Sequence, residues 1–179
     1  MLNAQIKADF FYTPYFFRRE NEIQVIIHSL KYQGMKGIGI FLGKSIYTLL
    51  TKVTFFTDNE FDFIIPVPLH KTKYRDRGYN QSEQIGIGLS QISEIPLKKD
   101  ILFRNRNTKS QTHLSIEERK KNVNNAFSMH SDFKDIIKNK NIILVDDVIT
   151  SGSTMMEAVK PLRKAGVNKI LCIAIAMAA

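Results

Sequence analysis

One stretch constrains this chain more than any other. Residues Ile142 to Thr154 read Ile-Ile-Leu-Val-Asp-Asp-Val-Ile-Thr-Ser-Gly-Ser-Thr. A run of apolar residues predicts a buried strand over Asn141 to Val145. Two adjacent carboxylates stand where it emerges, and Asp146 to Ser153 reads as a turn. A helix from Thr154 to Ala165 follows, stopped by Gly166, and a second apolar strand covers Val167 to Ala176. Strand, turn, helix, strand is the repeating unit of a parallel sheet covered by helices.

Earlier parts of the chain fit that class. Asn21 to Tyr32 predicts an amphipathic helix, with Asn21 as N-cap and Ile23, Ile26, Ile27 and Leu30 on one face. A second helix is expected from Ile38 to Lys52, and a buried strand from Phe61 to Val67, closed by Pro66 and Pro68. Ser82 to Ile92 reads as a helix and Ile95 to Phe103 as a strand, before a long polar stretch to Asn125. With 179 residues and no linker or repeat, the chain suits one compact α/β domain.

The turn from Thr150 to Thr154 has the makings of a phosphate cradle. Gly152 lets the backbone bend, the hydroxyls donate, and the helix N-terminus favours an anion. Asp146 and Asp147 cannot also bind phosphate. They suit ribose hydroxyls, a Mg²⁺ ion that keeps its waters, or developing positive charge. The plainer reading, that Asp147 or Thr150 merely caps a helix, accounts for less of the thirteen-residue pattern.

Charge points the same way. Lys and Arg number 26 against 17 Asp and Glu, a net charge of +9, which favours polyanionic partners. From Lys71 to Lys121 there are twelve basic and six acidic residues, so two thirds of the excess lies there. Cations for a phosphorylated small molecule and a track for nucleic acid would draw on the same residues, and both readings stand. The single cysteine, Cys172, excludes an intramolecular disulfide framework or a Cys-based zinc ribbon and reads as a core residue. The longest apolar run, Ile170 to Ala179, is about half a bilayer span, so a soluble, cytoplasmic protein is expected. The pairs Gly37/Gly39 and Gly86/Gly88 lie in helical pattern and read as close packing or helix irregularity. The aromatic residues from Phe10 to Phe17, beside Arg18 and Arg19, read as an N-terminal strand or hairpin packed on the core.

The segment from Ile142 to Thr154 resembles the phosphoribosyl pyrophosphate (PRPP) signature of type I phosphoribosyltransferases. The wider pattern resembles one branch, the ComF competence family. It is carried by Ile27 to Tyr32, Pro66 to His70, Arg75 to Gln81, Arg106-Asn107-Thr108 with Gln111, Leu114, Arg119 and Asn122, and Ala126-Phe127. The resemblance implies a central, mainly parallel sheet flanked by helices with a small N-terminal hood. Residues 1–60 would form the hood and a helical segment, and 61–179 the core. Asp146 and Asp147 would be the catalytic pair, holding the ribose hydroxyls and Mg²⁺ directly or through water. Thr150, Ser151, Gly152, Ser153 and Thr154 would wrap the 5′-phosphate. Val67, Pro68 and Leu69 would form the pyrophosphate loop, flanked by Arg75 and Arg77. Arg106, Thr108, Gln111 and Arg119 would belong to a mobile loop, Arg104 to Arg119, that closes over PRPP. Many members begin with a four-cysteine zinc ribbon, which this sequence does not contain.

The function so implied is PRPP binding in natural competence and DNA uptake, with Mg²⁺-dependent phosphoribosyl transfer to an acceptor the sequence does not identify. The alternative is a non-catalytic single-stranded DNA-binding component regulated by PRPP. Other DNA-uptake proteins at the inner face of the membrane are expected partners.

Overall fold

In the computed structural model, residues 7–17, 22–105 and 125–178 are described. Asn21, Arg106, Thr108, Gln111 and Arg119 lie outside them.

The centre is a five-stranded sheet in which every pairing is parallel. Strands β1 (Phe10–Tyr12) and β2 (Tyr15–Phe17) lie along one edge of β7 (Lys169–Ala178). β7 pairs with β6 (Asn141–Ile149), and β6 with β3 (Phe63–Pro66). The aromatic N-terminal segment is therefore two successive short strands extending the central sheet, and no hairpin.

β6 alternates between two cores. Ile142 and Leu144 pack into a cluster with helix α7 (Ser153–Lys164), while Ile143 and Val145 face a cluster under helices α1 (Glu22–Tyr32), α2 (Lys36–Leu50) and α5 (Gln81–Ser93). All four are fully buried. Period-two alternation with both faces covered explains the near-continuous apolar run.

The strand is longer than its apolar core predicts. It runs through both aspartates to Ile149, because β7 keeps pairing: Asp146 opposite Ala174, Val148 opposite Ala176, Ile149 opposite Met177. The turn is thus confined to Thr150 to Gly152. The strand expected over Ile95 to Phe103 breaks in two. Leu97 makes one bridge to Ile64 at the outer edge of β3, where Pro96 has no N–H to continue a ladder. The chain then reforms as β4 (Leu102–Arg104), antiparallel to β5 (Phe127–Met129) in a second, two-stranded sheet. Arg104, expected at the start of the mobile loop, is therefore a strand residue. Between these elements lie α3 (Thr54–Thr57), α4 (Lys71–Arg77), a 3-10 turn (Ser131–Phe133) and α6 (Lys134–Ile137).

Close packing accounts for three of the four glycines singled out above. A Cβ on Gly88 of α5 would overlap the Ile40 carbonyl of α2, and one on Gly43 of α2 would overlap the Ile85 carbonyl of α5. The two helices meet backbone to backbone. Gly39 and Gly86 are likewise crowded, by Gln84 Cβ at 2.6 Å and Leu97 Cδ1 at 2.7 Å from an added Cβ; Gly37 faces open space. This seating of α5 carries its first turn to the end of β6.

Candidate functional site

Because β3 and β6 are parallel, both leave the sheet at the same end. Ligands of open α/β sheets sit at that end. Val67, Pro68 and Leu69 follow β3 there, and Thr150 to Thr154 follow β6.

Successive positions on the strand give the two carboxylates different partners. Asp147, in phase with Ile143 and Val145, faces α1, where Lys31 Nζ lies 3.0 Å from its Oδ2. Asp146, in phase with Leu144, accepts hydrogen bonds from Ser82 Oγ at 2.9 Å and from the Asp147 amide at 2.9 Å, both on Oδ1. Oδ2 is left for a ligand. Burial, and after it the charge of Asp147, pushes the Asp146 carboxyl up to about 7, although Ser82, the Asp147 amide and Lys31 all favour its charged form. The pair is therefore unequal: one carboxylate is neutralised by a lysine, the other carries a charge that is incompletely compensated.

Around them gathers a set of cations. Lys31, Lys73, Arg77, Tyr32, Gly34 and Asp76 line a cavity of about 300 Å³. Burial, and after it the charges of Arg104, Arg77 and Lys31, pulls Lys73 below its ordinary pKa, with Asp147 opposing. Arg104 reaches in from β4. Its guanidinium lies 5.0 Å from the Phe127 ring, and burial lowers its pKa while the charge of Asp146 raises it. Lys73 is thus the cation most crowded by its like-charged neighbours.

The predicted flanking arginines separate here. Arg77 lines the cavity and stacks 5.3 Å over the Tyr32 ring, whereas the Arg75 side chain is 80% exposed and faces Asp76 at 3.9 Å. Lys31, Lys73 and Arg104 are the cations that sequence reasoning left without a role. Lys31 lay inside a quoted motif, but only the folded chain sets α1 beside β6.

Several motif residues turn out to hold the site together. Buried Tyr79 donates its hydroxyl to the Leu30 carbonyl, which fixes the end of α1 and so places Lys31. Asn80 donates to the Val67 carbonyl at 3.0 Å and caps α5 by accepting from the Ser82 amide at 3.1 Å. It ties the exit of β3 to the helix that carries Ser82.

The hydroxyl turn is closed on itself. Ser151 and Ser153 hydroxyls hydrogen-bond at 2.7 Å, and the turn encloses only about 10 Å³. Gly152 caps α7 with φ +74°, a conformation that costs an L-residue about 1–2 kcal/mol. A phosphate seated here would replace the serine–serine bond and meet the first amides of α7.

A family model described as "Phosphoribosyl transferase domain" matches residues 70–179. The chain is similar to competence protein F of Haemophilus influenzae, 43% identical over 60% of this chain and 46% of that protein. It is also similar to the DNA utilization protein YhgH of Escherichia coli O157:H7, 29% identical over 80% of this chain and 62% of that protein. The chain thus spans about half to three fifths of the length of these relatives. Among solved structures, purine phosphoribosyltransferase from Pyrococcus horikoshii aligns at TM-score 0.42 and 19% identity, over 82% of this chain and 75% of that one.

Proposed function

The chain belongs to the phosphoribosyl transferase domain family, and on that premise we propose that it binds PRPP with Mg²⁺ at the shared exit of β3 and β6. The observation that carries this reading is the crowd of cations beside two unequal carboxylates: Lys31, Lys73, Arg77 and Arg104 around Asp146 and Asp147. PRPP presents both charge types that such a site would pair, a pyrophosphate arm and a ribose diol. In this reading the pyrophosphate takes the cavity between Lys31, Lys73 and Arg77. Asp146 accepts from the ribose hydroxyls, and the turn from Thr150 to Thr154 takes the 5′-phosphate.

Among the described residues, no cluster of three or more His, Cys, Asp or Glu offers a protein-built metal cage, and Lys31 already neutralises Asp147. The residues fit a Mg²⁺ that keeps its waters and arrives on the substrate, with Asp146 as the carboxylate it meets. When bound, the ion would supply charge neutralisation for departing pyrophosphate. If transfer occurs, the bond from C1 to pyrophosphate breaks and an acceptor nucleophile adds at C1. The chain's own part is to orient the ribose and to hold cations where the leaving group gains charge.

The names of the relatives support a setting in competence or DNA utilization; in this reading the protein works in the cytoplasm, with single-stranded DNA and DNA-uptake proteins as partners. Among the described residues no helix is long and apolar enough to cross a membrane. A non-catalytic DNA-binding role regulated by PRPP is the second reading, supported by those names and by the basic excess from Lys71 to Lys121.

Calorimetry with PRPP, with and without Mg²⁺, tests the first reading, and heat of binding that ignores Mg²⁺ would count against it. Pyrophosphate release across a panel of acceptors separates enzyme from binder. For the second reading, affinity for an oligothymidylate should fall with salt at a log–log slope of about −0.7 per phosphate contacted; no binding at low salt would reject it.

A further inference from the structure

Away from the carboxylate site, a groove of about 480 Å³ runs between α7 and β5. Its apolar lining comes from Phe127, Met129 and Pro161, and its rim from Lys134, Lys160 and Lys164. Of these residues only Phe127 touches the site above, through the Arg104 guanidinium. The α-helical rise of 1.5 Å per residue puts Lys164 about 16 Å from Ser153, where α7 leaves the phosphate turn.

Among the described residues, one carboxylate stands against the three lysines of this rim. Glu157 is buried and already committed: it pairs with Lys160 and accepts from the Asn125 amide at 2.9 Å. Lys134 and Lys164 have no carboxylate among the described residues within ion-pair distance. Lys160, paired with Glu157, and Lys164 stand one turn apart on the same face of α7, so an anion in the groove would meet both ammonium groups. The volume lies within the usual range for small-molecule sites, far above what a lone phosphate ion occupies. A phenyl ring, a thioether and a proline ring offer a flat, adaptable apolar wall. Phe127 also carries the Arg104 guanidinium at 5.0 Å, so this groove and the carboxylate site share a wall.

We infer that the groove between α7 and β5 is a second binding site, for a small organic monophosphate with a flat aromatic body, of which a nucleoside monophosphate is the simplest case. The ring lies against Phe127, Met129 and Pro161, and the phosphate is held by Lys134 and Lys164 with Lys160. The charge is concentrated around one bounded cavity, which favours a single small molecule over a strand of nucleic acid.

Methionine methyl groups report the two sites separately, since Met129 lines the groove and Met155 lines the phosphate turn. The experiment is a methyl-NMR titration of the full chain with adenosine 3′-monophosphate, which lacks the ribose 5′-phosphate that the turn is read to take. Sub-millimolar ligand should move the Met129 methyl and leave Met155 in place. In the Lys134→Ala, Lys164→Ala double variant the dissociation constant should rise at least tenfold. An unshifted Met155 signal in that variant shows that the fold is kept. Adenosine alone and inorganic phosphate alone should each fail to reproduce the shift. The inference is overturned if Met129 stays in place up to about 5 mM ligand, or if Met155 responds first. It is also overturned if inorganic phosphate suffices, or if an oligothymidylate binds the groove more tightly than the mononucleotide.

Discussion

Two strands leave the sheet at the same end, and their exits differ in kind. The β6 exit carries carboxylates and hydroxyls in sequence: Asp146, Asp147, then Thr150 to Thr154. The β3 exit carries apolar and structural residues, with the cations a turn later on α4. Of those, Lys73 and Arg77 turn inward while Arg75 faces solvent. The first exit brings its chemistry with it as a contiguous string. The second takes Lys73 and Arg77 from α4 and is complete only when Lys31 from α1 and Arg104 from β4 are added. Contiguous chemistry is positioned by one strand and one turn, whereas assembled chemistry depends on every element that delivers a piece of it.

The largest test removes the anionic exit altogether. Asp146→Asn with Asp147→Asn keeps size and shape but deletes both charges. PRPP affinity in Mg²⁺ should fall by about two orders of magnitude, since charge-assisted bonds contribute ~1.5–3 kcal/mol each. Calorimetry giving wild-type affinity would remove the assignment.

The cationic exit should respond differently at its two ends. Lys31→Met strands Asp147, whose side chain is only 12% exposed, and should cost about 1–2 kcal/mol, or ~4 °C in Tm. Lys73→Met relieves a crowded cation, so it should leave Tm unchanged or raised while weakening the binding of inorganic pyrophosphate. Equal loss of stability in both variants would mean that the two lysines are not distinct.

A third test uses pH. The Asp146 carboxyl is raised from 3.8 to about 7, so between those values the folded chain binds its proton more tightly than the unfolded chain. The contribution of this group to stability is full below pH 4 and is lost as pH rises through 7. Asp146→Asn should remove that slope and raise the Tm of the ligand-free protein at pH 8 by ~2–4 °C, about 1 kcal/mol. Ligand binding should move oppositely, strengthening above pH 7 as the carboxylate forms. Parallel Tm–pH curves for the two proteins would contradict the raised value.

The smallest expected change is in the turn. Gly152→Ala places a Cβ at φ +74° and should cost about 1 kcal/mol, measured by denaturant unfolding, with a modest loss of PRPP affinity. An unchanged midpoint would show that the turn relaxes freely.

Much of this was readable from local pattern. The alternation of β6, the glycine at the cap of α7 and the hydroxyls beyond it all follow from short-range rules. So do the helices α1, α2 and α5, whose limits fall within about two residues of expectation. What local pattern missed has a common cause. The apolar run ending at Val145 hid the continuation of β6 to Ile149, because a polar residue stays in a strand when its neighbour strand keeps pairing, and β7 does so. Arg104 read as loop because three residues make a strand only opposite β5, more than twenty positions away.

The sequence by itself determined which chemistry is present: two carboxylates, a glycine-bent hydroxyl turn and a surplus of cations. Tertiary structure decided how those groups are shared out. Strand pleating turned Asp146 and Asp147 apart, toward different partners. The backbone-to-backbone seating of α2 on α5 brought Ser82 to one of them, and Tyr79 holding the end of α1 brought Lys31 to the other. Charge in a sequence has sign and order but no distance, and distance within a few ångströms decides whether a carboxylate is neutralised or left available to a ligand.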